Sequence, residues 1–298
     1  VALKQNSEDI VDRTQQASAG LCWTPAVGRL IDLALDEDLG HGDVTTEVVG
    51  QLGTGVGRVF CREPIVACGL PVAGWVVERA EPDLQFDAQA LEGTVLHAGS
   101  ELARLVGPAA GILRVERTLL NFLMRMCGVA TLTRRYVEAV EGTGARVVDT
   151  RKTMPGWRVL DKYAVRVGGG GNHRAHLGSG ILIKDNHITA CGSVGQAVRQ
   201  AKRLAPHTLR VEVEVEDPAA VGEALEAGAD VLLLDNMSPE LVREVVKLVE
   251  GRALVEVSGG VNQATIRAFA EAGAQLISVG ALTHSAPAVD LALDLEQR

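Results

Sequence analysis

No stretch of this 298-residue sequence stays apolar for the ~20 residues that a membrane-spanning helix needs. The opening VALKQNSEDIVDRTQQASAG is polar and has no apolar core of the signal-peptide kind. Cysteine is sparse: Cys22, Cys61, Cys68, Cys127 and Cys191 are scattered, odd in number and without CxxC spacing. That pattern fits reduced thiols better than a disulfide frame or a zinc site, and it predicts a cytoplasmic protein with no membrane partner. A basic surplus is missing too. A net charge of -9 and a pI near 5.3 argue against nucleic acid as a partner, since that needs an extended basic face. What is present is an ample core, with 47% hydrophobic residues, and 33 glycines that gather at turns instead of forming low-complexity tracts. The length suits one large domain or about two of ordinary size.

The acidic total hides one basic stretch. Between Arg146 and Lys184 stand Arg146, Arg151, Lys152, Arg158, Lys162, Arg166, Arg174 and Lys184, opposed only by Asp149 and Asp161. Cations concentrated this way in an acidic protein suggest a pocket for a small, highly charged anion.

The chain has two styles. After about residue 130, strand-like runs alternate with amphipathic helices. The strands are RVVDT (146–150), ILIKD (181–185), RVEVEVE (210–216), DVLLLDN (230–236), ALVEVSGG (253–260) and QLISVGAL (275–282). The helices are SVGQAVRQAKRLA, PAAVGEALEAGA, SPELVREVVKLVE and NQATIRAFAEAGA. Ser193 with Gln196 reads as a capping box, and Ser238-Pro239 as an N-cap followed by proline in the first turn. The spacing predicts a (β/α) barrel or a doubly wound sheet. The earlier stretch, about 24–130, carries RVFCREPIVACGL, GTVLHAG and ELARLVG and then an apolar helix from about Pro108 to Cys127, which predicts a separate α+β domain.

Chemically loaded residues fall at the C-terminal ends of the predicted strands: Thr150-Arg151-Lys152, Lys184-Asp185-Asn186-His187, Glu214 and Glu216, Asp235-Asn236, Ser258-Gly259-Gly260, and Gly280. Parallel α/β folds bind ligands at that end. Each has a bland reading. Arg151 and Lys152 taken alone fit a solvated pair, Lys184 an internal ion pair, and His173 a structural histidine. The glycines Gly168 to Gly171 fit a flexible loop, though they also allow a ligand close to the backbone. Their shared placement is what points to an active-site mouth.

In the run Val211 to Glu216, strand alternation sends the valines to one face and Glu212, Glu214 and Glu216 to the other. Inward carboxylates need cations. Either they form an internal ion-pair network, or Glu214 with Asp235 holds Mg²⁺ or a sugar hydroxyl, hard oxygen donors being suited to that ion. Ser258-Gly259-Gly260 and Val279-Gly280 suggest a phosphate cradle of backbone N–H groups facing a helix N-terminus.

The motifs DTRKTMPGWR, KYAVRVGGGGNHR, LIKDNH, VEVEVE, LLLDN, EVSGG and SVGALTHS together resemble the quinolinate phosphoribosyltransferase family. So do LDEDLGHGDVTT, REPIVACG and GPAAGILRVERTLLNFL upstream. The resemblance covers nearly all of the chain after about residue 25. It implies α/β architecture of type II phosphoribosyltransferase kind: a polar segment over 1–24, an α/β sandwich over 25–130, an open seven-stranded α/β barrel over 131–284, and a final helix over 285–298 returning to the sandwich. It implies transfer of phosphoribosyl from 5-phosphoribosyl 1-pyrophosphate to quinolinate with decarboxylation, giving nicotinate mononucleotide, pyrophosphate and CO₂ for NAD synthesis.

The resemblance further implies a homodimer, or a higher oligomer, in which Arg117 crosses to the neighbour's site. Arg151, His173, Arg174 and Lys184 match the quinolinate-binding positions; Lys152, Glu214, Asp235, Ser258, Gly259, Gly260 and Gly280 match the sugar-phosphate and pyrophosphate side, and Thr150 is a further expected substrate-binding residue. Lys152, Lys184, Glu214 and Asp235 are the expected catalytic set, with Glu214 and Asp235 as metal ligands and Mg²⁺ held largely by the substrate pyrophosphate. Two other classes stay open: a lyase using Lys184 as a Schiff-base amine, and a retasked relative that binds a charged metabolite without turnover. Nicotinate phosphoribosyltransferase is a nearer rival, but it needs one carboxylate site where the several cations here favour a diacid.

Overall fold

The computed structural model describes residues 20–50 and 52–297. Most of the polar segment 1–24 therefore lies outside the described residues. The chain divides into two compact units. Unit 1 takes its described residues from the stretches up to Arg134, Thr153–Gly169 and Thr283 onward; unit 2 comprises Arg135–Lys152 and Gly170–Leu282.

Unit 1 contains β1 (Thr54–Cys61), β2 (Ile65–Val66), β3 (Gln85–Ala88), β4 (Val95–Leu96) and β5 (Glu101–Pro108), of which β1 and β5 are the long ones at eight residues each. β1 pairs antiparallel with β5, β5 with β3, and β2 with β4. The other edge of β1 is covered by the last strand of the chain, Leu291–Gln297, antiparallel and in a register that sets Gly57 opposite Leu295. The helix expected over 285–298 is thus a strand. Its leucines alternate, Leu291, Leu293 and Leu295, with the period of two that a strand needs. Helix Ala109–Ala139, most of which lies in unit 1, buries Ile112, Val115, Leu119, Phe122, Leu123 and Met126, a spacing of three and four that puts them on one face. It approaches β1 so closely that a Cβ on Gly57 would stand 2.7 Å from Ile112 Cγ2. Each such leucine or phenylalanine contributes roughly 1.5–3 kcal/mol by leaving water.

A second helix, Leu70–Ala80, starts where the Glu92 carboxylate accepts from the N–H groups of Gly69 (3.0 Å) and Leu70 (2.8 Å). The Tyr163 hydroxyl donates to the same carboxylate. Within unit 1, Asp161 is buried and accepts from Arg125 Nη2 at 2.9 Å, which ties helix Arg158–Val167 to helix Ala109–Ala139.

Unit 2 contains β6 (Arg146–Val148), β7 (Ile181–Ile183), β8 (Val211–Val215), β9 (Val231–Asp235), β10 (Leu254–Ser258) and β11 (Leu276–Ser278). They form one parallel sheet in the order β6-β11-β10-β9-β8-β7. All six predicted strands are present. The seventh strand and the barrel are not confirmed: among the described residues the sheet has six strands, with β6 and β7 at its edges and one further bridge from Gly171 to Val148. The glycines before Gly171 give no side chains to pack along a longer strand. Between the strands, helix Val194–Leu204 begins at Ser193, whose side chain accepts from Gln196 N, and helix Pro239–Val249 begins at Ser238, whose side chain accepts from Leu241 N. Val211, Val213 and Val215 are all buried, as the alternation requires.

Candidate active site

Because every strand of unit 2 runs the same way, the residues after each strand gather at one edge of the sheet. β6 ends at Val148 and delivers Thr150, Arg151 and Lys152; β7 delivers Lys184; β8 carries Glu214 near its end; β9 ends on Asp235, β10 on Ser258, and β11 is followed by Gly280. His173 and Arg174 join them because Asp149, fully buried, accepts from His173 N–H and from Asn172 Nδ2, each at 2.8 Å. The structure therefore brings Thr150, Arg151, Lys152, His173, Arg174, Lys184, Glu214, Asp235, Ser258, Gly259, Gly260 and Gly280 to loops and strand ends of one sheet. Arg117 is on helix Ala109–Ala139, in unit 1, with 59% of its side chain exposed and Glu116 3.9 Å away.

Local contacts fix several of these groups. Lys184 is ion-paired with Glu214, whose side chain is only 10% exposed. Lys152 N–H donates to Thr150 Oγ1 at 3.0 Å, shaping the turn that carries both arginine and lysine. Arg174 Nη1 donates to the Gly180 carbonyl at 3.2 Å. Burial, and then the nearby charge of Arg151, pull the Arg174 guanidinium below its ordinary range, while Glu212 opposes them. Two half-buried cations whose charges oppose each other would both be relieved by an anion.

Asp235 accepts from Asn236 Nδ2 at 2.7 Å. Asn236 itself has φ of +55°, and its backbone N–H donates to the Ser258 carbonyl at 3.0 Å. Gly259 and Gly260 follow with φ of +87° and +64°, conformations that glycine adopts freely. The expected helix N-terminus at this cradle starts late: the helix after β10 begins at Ile266 and has six residues. The N–H groups available beside Ser258 are those of the glycine turn itself.

Two carboxylate groupings lie in unit 2. Glu214, Glu216 and Asp235 place one oxygen each within 4.8 Å of one another, and so do His173, Glu212 and Glu256 with one ligand atom each. The second was not singled out from sequence. Glu256 stood inside a motif read for its serine and glycines. The signal was its position two residues before Ser258 on one strand, which puts both on the same face. A groove of about 1030 Å³ in unit 1, lined by Trp23, Asp32, Trp75, Glu78 and Arg79 among others, takes in none of these residues. Among the described residues no helix is long and apolar enough to cross a membrane.

Comparison with known proteins gives one answer. Residues 43–127 match the family described as quinolinate phosphoribosyl transferase, N-terminal domain, and residues 129–294 match its C-terminal domain. The chain is 41% identical over 281 residues to the nicotinate-nucleotide pyrophosphorylase [carboxylating] of Mycobacterium leprae, covering 92% of this chain and 99% of that protein. It is 40% identical over 265 residues to a probable nicotinate-nucleotide pyrophosphorylase [carboxylating] of Bacillus subtilis, covering 87% and 90%. The crystal structure of NadC from Streptococcus pyogenes matches with a TM-score of 0.88 and 39% identity, covering 93% and 99%. Long motifs, both domains and the fold agree, and the chain belongs to the quinolinate phosphoribosyltransferase family.

Proposed function

We propose that this chain is a decarboxylating pentosyltransferase that joins quinolinate to 5-phosphoribosyl 1-pyrophosphate. The products are nicotinate mononucleotide, pyrophosphate and CO₂. The observation that carries the reading is the gathering of Arg151, Arg174 and Lys184 with Glu214 and Asp235 along one edge of a parallel sheet, in a chain of this family. Quinolinate is a dianion with two adjacent ring carboxylates, and guanidinium forks match planar carboxylates. Arg151, His173 and Arg174, with Thr150, form the acceptor side. Lys152 and the turns at Ser258, Gly259, Gly260 and Gly280 form the donor side.

The pyridine nitrogen attacks the anomeric carbon as pyrophosphate leaves. The protein's task is positioning and charge stabilisation. Glu214 or Asp235 faces the developing positive charge on the sugar, and Lys152 stabilises the departing pyrophosphate. After coupling, the positive ring nitrogen stabilises the carbanion left when the 2-carboxylate departs as CO₂. The oxygen donors of Glu214 and Asp235, with Glu216 beside them, fit a hard divalent cation and would hold Mg²⁺. When bound, that ion supplies further neutralisation of the pyrophosphate.

The shared-site dimer expected of the family assigns exposed Arg117 to the neighbour's acceptor pocket, and the scattered unpaired cysteines fit a cytoplasmic protein. Lys184 is engaged by Glu214 and its side chain is 46% exposed. That is not the desolvated setting that activates a lysine for Schiff-base chemistry. The test is CO₂ release from quinolinate labelled at the 2-carboxylate, with and without the sugar donor. Donor-dependent release is expected; binding of the donor without release points to the retasked-relative reading.

A further inference from the structure

Two buried carboxylates in unit 2 face one imidazole, and the reaction described above uses neither of them. Glu212 on β8 and Glu256 on β10 flank β9 and are 8% and 2% exposed. His173 Nε2 stands 3.1 Å from Glu212 Oε2 and 3.7 Å from Glu256 Oε1. The other ring nitrogen, Nδ1, accepts the backbone N–H of Arg174 at 2.8 Å. An accepting Nδ1 carries no proton, so the neutral ring has its proton on Nε2 and donates it to Glu212.

That tautomer decides between two uses of the cluster. Three ligand atoms within 4.8 Å would suit a metal ion in number and kind. A ligating histidine, however, normally donates its second N–H outward to an acceptor. Here the second nitrogen accepts, so ligation through Nε2 would demand an imidazolate. The geometry fits a proton and not a cation.

The carboxylates support the same reading. Glu212 Oε1 and Glu256 Oε1 are buried with no hydrogen-bond partner. Two ionised carboxylates so placed repel, and a dry setting intensifies the repulsion. Burial, and then the charge of Glu212, push the Glu256 carboxyl up to about 7, with His173 opposing. The neutral acid form of Glu256 is thereby favoured beside Glu212.

We infer that Glu212 and Glu256 are positioning residues for the acceptor: they hold His173 in its Nε2–H tautomer, and His173 fixes the backbone of Arg174. The inference rests on the reading of Arg174 as an acceptor-binding residue. The same cluster stands near Arg174, whose charged form Arg151 opposes. Glu212 acts on Arg174 directly in this respect, favouring its charged form against burial and Arg151.

The first experiment uses the unmodified protein. Long-range ¹⁵N–¹H correlation of the His173 ring is expected to show a protonated Nε2 and a bare Nδ1. A protonated Nδ1 overturns the inference whatever the substrate proves to be, so this result is separable from failure of the proposed reaction. The second is kinetic. Glu212→Leu should raise KM for quinolinate by about tenfold or more and leave KM for the sugar donor within about twofold, while Glu256→Gln, which copies the neutral acid, stays within about threefold of the parent for both. Equal losses toward both substrates in Glu212→Leu, or an unchanged quinolinate KM, would falsify the positioning role.

Discussion

Gly259 lies against Asn236 so tightly that a Cβ on the glycine would stand 2.2 Å from Asn236 Oδ1 and 2.8 Å from its backbone nitrogen. Together with the bond from Asn236 N–H to the Ser258 carbonyl, this locks the end of β9 to the end of β10. Gly259→Ala should fail on two counts, a left-handed φ of +87° and the overlap with Asn236. A destabilisation of about 1–3 kcal/mol is expected. Gly260 has φ of +64° but no atom within 4 Å of its would-be Cβ. Asparagine tolerates that φ, so Gly260→Asn should fold normally. Urea unfolding of both variants checks the contrast, and equal stability for the two would refute the close-approach argument.

The ion pair of Lys184 with Glu214 bears on both function and stability. The lysine side chain is 46% exposed but Glu214 is 10% exposed and would lose its cation, so Lys184→Ala should cost about 1–3 kcal/mol of stability. Lys184→Ala should also lower turnover by about a hundredfold or more, because the family resemblance puts this lysine among the quinolinate-binding positions. The paired measurements are thermal unfolding and CO₂ release. Normal turnover in the folded fraction would reverse the assignment.

Arg174→Ala is expected to lose quinolinate binding while keeping donor binding. Titration calorimetry with each ligand separately reads both. Comparable quinolinate affinity in the variant counts against the acceptor site as drawn. The shared-site dimer has its own test: an Arg117→Ala chain mixed with an Arg151→Ala chain should regain some activity through one intact site. Heterodimers that form without regaining activity would remove Arg117 from the site.

Much of this site was legible in the sequence because parallel sheets convert position into function: a charged residue just past a strand lands at the ligand edge. The strand runs of unit 2 and the caps at Ser193 and Ser238 could be read from local pattern. The last segment misled because the partner that makes Leu291–Gln297 a strand is β1, more than two hundred residues away. The His173 cluster was hidden for a similar reason. Glu212 and Glu256 come from separate strands, and only tertiary structure shows that they meet over one imidazole.

Glu256 also makes a prediction about pH. Its carboxyl titrates at about 7 in the fold against an ordinary value of 4.5. The folded state thus holds a proton that the unfolded chain has released across that interval. Its contribution to stability is full below about pH 4.5 and is lost as pH rises through about 7. The groups facing it are Glu212, which strengthens the effect, and His173 and Ser278, which oppose it. Glu256→Gln should flatten the decline in stability between those pH values relative to the parent. Parallel curves for the two proteins in urea would show that Glu256 is ionised throughout.

The antiparallel seam between β1 and Leu291–Gln297 has a consequence for biosynthesis. During synthesis this edge of β1 stays open until Leu291–Gln297 has been made. A ribosome that stops early releases a chain with a bare strand edge, the kind of surface on which nascent proteins stick to one another.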